Sequence, residues 1–244
     1  MITSAKLEYI DRLITECLSE DGEALELNGK FIGDEGMEAL ILSDKLDRVE
    51  NLDLTKNSLT HKGAILLAGC DRLKKLKRLY IGDNNISDSG AAAIAQAGFA
   101  SNLAHLDLRF NNMGPEGGLA IARSGEFKKL QVLILQENEV GDDTLITLAK
   151  SATFANLRKL NFYRTQVTAK GIKVLAKSKS LQRVRHLNIA RNYLYQDAVK
   201  ALANTKTLTN IETLLMFDTG ISDEGVKTIM NSASFSKLKT FRVT

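Results

Sequence analysis

Residues 79–90 read Leu79-Tyr80-Ile81-Gly82-Asp83-Asn84-Asn85-Ile86-Ser87-Asp88-Ser89-Gly90, and this stretch decides the fold. Leu79 and Ile81 alternate with Tyr80 and Gly82, the period of a short strand with one face turned inward. Asn84 falls where the chain leaves the strand. Its side chain offers donors and an acceptor to the backbone of a turn. Ser87 and Asp88 then suit the start of a helix, and Gly90 keeps one helical position small. The same unit, L-x-L-x-x-N-x-[LI]-x-x-x-G, begins at Leu25, Leu52, Leu79, Leu106, Leu133, Leu160, Leu187, Leu214 and Phe241, always 27 residues apart.

Each position of the unit has a physical reading. Asn57, Asn84, Asn111, Asn138 and Asn192 form a ladder of turn asparagines. Lys30, Thr165 and Thr219 replace it in three copies, and a Thr hydroxyl satisfies fewer groups, so looser turns are expected there. Helix N-caps are expected at Gly33, Thr60, Ser87, Gly114, Gly141, Thr168, Tyr195 and Ser222, with Tyr195 the one poor cap. Pro115 lands at a first helical position, where proline is favoured. Gly36, Gly63, Gly90, Gly117, Gly171 and Gly225 allow close backbone packing, while Thr144 and Ala198 depart from that pattern. Leu40, Leu67, Ile94, Ile121, Leu148, Leu175, Leu202 and Ile229 mark the inward helix face. No unit can bury these faces alone, so units must stack. The expected architecture is an α/β fold, a right-handed βα solenoid with parallel strands concave and helices convex. At roughly 4.8 Å per strand step the ladder is about 38 Å long.

The motif Leu52-Asp53-Leu54-Thr55-Lys56-Asn57-Ser58-Leu59-Thr60-His61-Lys62-Gly63, completed by Leu66-Leu67-Ala68, resembles the leucine-rich repeat family, and within it the ribonuclease-inhibitor-like class. The resemblance extends from Leu25 onward. It implies protein–protein recognition through the concave face and its loop rims, and no single target. The ribonuclease inhibitor is acidic and rich in cysteine. This chain carries a net charge of +4 and two cysteines, so inhibition of a basic ribonuclease is not expected.

The unbroken repeat makes the 244 residues one domain, with residues 1–24 as an N-terminal capping helix and residues 25–244 as eight full repeats plus a terminal strand. Residues 3–20 read as an amphipathic helix with Leu7, Ile10, Leu13, Ile14, Cys17 and Leu18 on one side. Lys6, Glu8, Asp11 and Arg12 interrupt any signal-peptide core, and no transmembrane run exists. Cys17 and Cys70 offer no disulfide framework, which favours a reducing compartment and a cytoplasmic location. Phe241 and Val243 leave an unpaired strand edge. A fragment of a longer protein, self-association through Phe241–Thr244 and a tolerated edge remain three open readings.

The basic residues Lys74, Lys75, Lys77, Arg78, Lys128, Lys129, Arg158, Lys159, Arg183, Arg185, Lys237 and Lys239 all lie just before strands and form one rim. Acids such as Asp34, Glu35, Asp88, Asp142 and Asp143 form the opposite rim. The basic strip could track a phosphate backbone. Helix dipoles account for the polarity more simply, with acids at helix starts and bases near helix ends, so a solvated face is expected and no nucleic acid partner. A membrane partner is not expected either.

No phosphate-binding glycine loop and no zinc-like Cys/His spacing is present. His105 and Asp107 share one strand face, yet no nucleophile stands beside them, so His105 and His186 are read as exposed surface histidines and the protein as a non-enzyme without cofactors or metals. The outward strand positions carry large groups from Tyr80 onward. Arg109, Ile134, Gln136, Tyr163, Leu215 and Phe217 stand on the concave face, and Phe110, Arg164, Arg191 and Tyr193 on the adjacent rim. Aromatic residues and arginine are the usual interface anchors. The leading expectation is a binding surface for a partner protein centred on Arg109, Ile134, Tyr163 and Phe217, in an adaptor, sensor or scaffold. The alternatives are a regulator of a small GTPase, a bacterial effector that is secreted and acts on host proteins, and a structural role through end-to-end pairing.

Overall fold

A computed structural model describes residues 3–243. Helix α1 (Ser4–Cys17) precedes strictly alternating strands and helices: β1 (Ala24–Glu26), α2 (Gly33–Leu40), β2 (Asn51–Asp53), α3 (His61–Ala68), β3 (Arg78–Tyr80), α4 (Ser87–Ala95), β4 (His105–Asp107), α5 (Pro115–Arg123), β5 (Val132–Ile134), α6 (Gly141–Lys150), β6 (Lys159–Asn161), α7 (Ala169–Leu175), β7 (His186–Asn188), α8 (Tyr195–Ala203), β8 (Thr213–Leu215), α9 (Asp223–Met230) and β9 (Thr240–Arg242). The nine strands form one parallel sheet in chain order. Leu25 pairs with Leu52, Leu52 with Leu79, and the register holds through Leu214 and Phe241. The result is the expected βα solenoid. Leu52, Leu79, Leu106, Leu133 and Leu160 are 0% exposed, and the inward helix residues from Leu40 to Ile229 meet them in one continuous core.

The strands are short because the chain must bend early. Lys56, Asp83, Phe110, Glu137, Arg164, Arg191 and Asp218, each at the equivalent place in its repeat, have positive φ. Beyond that shared bend the repeats alternate between two conformations. Even repeats, those starting at Leu52, Leu106, Leu160 and Leu214, place a second positive φ at Ser58, Asn112, Gln166 and Gly220. Their helices then begin from extended caps at Thr60, Gly114, Thr168 and Ser222, as expected. Odd repeats place it at Gly33, Ser87, Gly141 and Tyr195, the first repeat alone among the described residues carrying both, at Phe31 and Gly33. These four are first helical residues rather than N-caps, which corrects the sequence reading. Each donates its N–H to the turn carbonyl of the next repeat, at Asn57, Asn111, Thr165 and Thr219.

The two conformations interlock. Asp34, Asp88 and Asp142 in odd repeats reach across to cap the next helix. Asp34 Oδ1 accepts from Thr60 N (2.9 Å) and Gly63 N (3.0 Å), and Asp88 and Asp142 repeat the contact. Each carboxylate thus satisfies backbone donors that a helix start leaves free. A Cβ on Gly63, Gly117 or Gly171 would meet that carboxylate oxygen at 2.5 Å, so these even-repeat glycines are required for space. The departures from glycine, Thr144 and Ala198, fall in odd repeats, which receive no such clamp.

The asparagine ladder alternates too. Asn84, Asn138 and Asn192 each accept two N–H groups from the preceding turn, as Asn138 does from Asn111 (3.1 Å) and Met113 (3.0 Å). Asn57 and Asn111 accept only one long bond each, from Ile32 (3.3 Å) and Ile86 (3.4 Å). Thr165 and Thr219 occupy even positions, where the acceptor role is lightest. Both are buried and donate locally, to Phe162 O and Met216 O.

Helix α1 buries Ile10, Leu13 and Ile14 in the common core. It stops at Cys17, short of residue 20, and Leu18 forms an antiparallel bridge to Leu25. At the other end Phe241 and Val243 are half-buried, while Thr244, part of the strand edge considered above, lies outside the described residues.

Candidate binding surface

The concave face is lined by three rows of side chains, because alternate residues of each strand point the same way. The row through the last strand residue runs Glu26, Asp53, Tyr80, Asp107, Ile134, Asn161, Asn188, Leu215 and Arg242. Several of these are covered by their neighbours. Asp107 is 1% exposed and Ile134 7%. Ile134 stands between Asp107 and Asn161 in the ladder, which closes over it. It is therefore packed within the sheet face and is removed from the exposed anchors. Asp53, Asp107, Asn161 and Asn188 also have a local role. Each side chain accepts the N–H two residues on, for example Thr55 N to Asp53 Oδ1 at 2.8 Å and Tyr163 N to Asn161 Oδ1 at 3.0 Å. They close the strand end as Asx turns.

A polar node occupies the middle of the face. Asp107 Oδ2 lies 2.6 Å from Arg109 Nη2, an ion pair poorly aligned as a hydrogen bond. Gly82 makes room for Arg109, since a Cβ there would meet Arg109 Cγ at 2.8 Å. The Tyr80 ring lies over His105, centroids 4.5 Å apart. His105 Nε2 and Arg109 Nε are buried without a hydrogen-bond partner among the described residues. Burial, reinforced by Lys159, Arg78 and Arg109, pushes His105 down to about 4. Burial raises Asp107 and Tyr80, with Arg109 opposing the shift on Asp107. His105 is thus a half-buried neutral ring rather than an exposed histidine. His186 is exposed, as expected, with Nδ1 3.1 Å from Thr213 Oγ1.

A second node lies toward the C-terminal repeats. The Tyr163 and Phe217 rings stand 5.9 Å apart, and the Arg191 guanidinium sits 5.6 Å over the Tyr163 ring while pairing with Asp218 at 3.2 Å. Ala190, between the two aromatics, is 0% exposed and leaves space for both rings. Leu215 flanks them half-exposed, and Gln136 accepts from Asn161 Nδ2 at 3.1 Å. On the rim Arg164 pairs with Glu137 at 2.9 Å. Tyr193 is 76% exposed and stacks on Tyr195. Glu137, Arg164, Arg191, Tyr193 and Asp218 line one cleft of about 1050 Å³. Phe110 is exposed but belongs to the polar end of the face. Tyr195 is the residue that sequence reasoning missed. It was read as a poor cap, whereas it holds φ +52° where Gly33 and Gly141 sit in equivalent repeats. That conformation is unfavourable for an aromatic residue and draws attention to its surface role.

The basic rim also departs from its sequence explanation. Helix α3 ends at Ala68 and has no basic residue in its last turn, and neither do α2 and α4. Lys74, Lys75 and Lys77 lie beyond the helix, past the reach of its dipole. Among the described residues no group of His, Cys, Asp and Glu could hold a metal ion, and no helix is long and apolar enough to cross a membrane.

Residues 72–95, 100–122 and 207–230 match the family model described as Leucine Rich repeat. A search of curated proteins returns no match. Leucine-rich repeats are in general non-catalytic protein-interaction modules. The three matched stretches are similar to leucine-rich repeats, and the nine parallel strands stacked in register alternate with helices as in the βα solenoid typical of such repeats.

Proposed function

We propose that this protein is a non-catalytic adaptor, sensor or scaffold of the ribonuclease-inhibitor-like class that holds a partner protein against its concave face. The observation that carries this reading is the pair Tyr163 and Phe217, half-exposed on a strand face with Arg191 stacked on one ring. These rings lie outside the continuous core, and aromatic residues with arginine supply most of the energy at protein interfaces. Leu215, Gln136, Arg164 and Tyr193 surround them, with Arg109, Tyr80 and Phe110 at the far edge. Residues 1–24 act as the cap that covers the first repeat and residues 25–244 as the recognition domain. The two free cysteines, Cys17 and Cys70, suit a cytoplasmic setting.

The test is capture of partners by the native protein and by the Tyr163→Ala/Phe217→Ala variant, with matched circular dichroism and melting. A protein retained by the wild type and lost from the variant supports the reading. Identical captures place recognition elsewhere and overturn it.

A further inference from the structure

We propose that the loops leading into β3, β4, β5 and β6 form a docking cleft for an acidic polypeptide segment, with its Asp and Glu carboxylates seated among Lys74, Lys75, Lys129 and Arg158. The cleft holds about 500 Å³, and Lys77 and Glu50 also line it. Lys77 is neutralised by Glu50 at 2.6 Å. Among the described residues Lys129 has only the amide oxygen of Asn102 as a partner, at 2.8 Å, which leaves its charge uncompensated. Lys74, Lys75 and Arg158 make no ion pair among the described residues. Some cations elsewhere on the surface are matched, as in Arg164–Glu137, Lys170–Asp143, Lys173–Asp197 and Arg191–Asp218, so the cleft is set apart by the convergence of its charges on one recess and not by unpaired charge alone.

The cations stand on a rigid frame. Each loop donates one backbone bond to the loop before it: Ala104 N to Lys77 O (2.7 Å), Gln131 N to Ala104 O (2.8 Å) and Arg158 N to Gln131 O (2.8 Å). Asn102 and Asn156 add side-chain bonds to Lys74 O (2.9 Å) and Lys128 O (2.7 Å). A ligand therefore orders little backbone on binding. Helix ends do not call for these charges, as shown above. By contrast Lys177, in the turn just after α7, and Lys200, on α8, line a second lysine-rich recess on the helix side of the molecule, an ordinary solvated face.

The chemistry favours carboxylates on a peptide. Lysines dominate, and their flexible point charges suit acidic side chains of varied position. No aromatic ring lines the cleft, so the bases of single-stranded nucleic acid find no stacking platform. The charges converge on an open recess of a size that an extended peptide segment can occupy.

The experiment is fluorescence anisotropy with a labelled Asp/Glu-rich peptide, its Asn/Gln counterpart and a single-stranded oligonucleotide. Lys75→Glu/Arg158→Glu is compared with wild type. Lys74→Gln/Lys75→Gln serves as a gentler variant, and Lys177→Glu/Lys200→Glu as a control with the same charge change elsewhere. The acidic peptide is expected to bind wild type in a salt-dependent manner and to weaken about tenfold or more in the charge-reversed cleft. The neutral variant weakens it less, and the control leaves it unchanged. Three results overturn the proposal: no binding to wild type beyond that of the Asn/Gln peptide, equal loss in the control, or tighter binding of the oligonucleotide through the same residues.

Discussion

The two nodes of the concave face occupy equivalent strand positions and have opposite characters. Around Asp107 and Arg109 the side chains close on one another. A buried carboxylate pairs with a half-exposed guanidinium, and a neutral imidazole packs against the Tyr80 ring. Around Tyr163 and Phe217 the rings stay half-exposed, and their charged companions, Arg191 and Asp218, remain in water. The same repeat position is thus structural in one place and available for recognition in another. What decides is the size of the neighbours one repeat away. Gly82 lets the Arg109 side chain lie across the neighbouring repeat and pair with Asp107, whereas Ala190 separates two rings of which one is covered only by the half-exposed Arg191 guanidinium.

The sharpest way to break this contrast is Asp107→Ala. It removes the partner of Arg109 and the acceptor of the Arg109 N–H, and it should destabilise the fold by about 2–3 kcal/mol in urea unfolding, with the half-exposed arginine moderating the loss. A loss near zero would show that the node is not structural. Tyr163→Ala/Phe217→Ala should behave the other way. Stability falls by only about 1 kcal/mol, while affinity for a captured partner falls by about 2 kcal/mol or more. Its binding of acidic peptide at the basic rim should be unaffected.

The histidine offers a pH test. The folded-state value of His105, about 4, lies below its ordinary 6.5. Between those values the unfolded chain holds the proton and the folded chain does not. Stability is therefore complete above about 6.5 and declines as pH falls toward about 4, by about 1–2 kcal/mol after discounting the ring's partial exposure. Asp107, raised by burial, acts with the opposite sign over its own window. The informative quantity is the difference between wild type and His105→Asn in melting temperature against pH. That difference should shrink steadily on acidification, and parallel curves would contradict the assignment. The smallest expected effect marks the boundary between the nodes. Ile134→Val should cost about 1 kcal/mol of stability and leave partner affinity unchanged, because the side chain is packed rather than presented.

Much of this was legible in the chain. The period and the alternation Leu79-x-Ile81 carried the strand register, the core and the inward helix faces, because stacked identical units bury identical positions. Asn84, Asn138 and Asn192 announced their turns. The alternation of odd and even repeats was present but hidden. Asp34, Asp88 and Asp142 looked like ordinary first-turn acids, and only the neighbouring helix revealed that each serves the next repeat. The same holds for Thr165 and Thr219, whose substitutions are placed where the ladder needs least.

The candidate surface was less legible than the fold. Tyr163, Phe217 and Tyr193 were visible as large residues at outward positions, and they are exposed to differing degrees. Ile134 and Asp107 occupied equally outward positions and turned out to be buried. By itself the sequence determined which face each side chain takes, since that follows from strand and helix periodicity within one unit. Only the tertiary structure decided exposure, charge state and pairing, because those depend on side chains one repeat away that reach across roughly 4.8 Å of sheet.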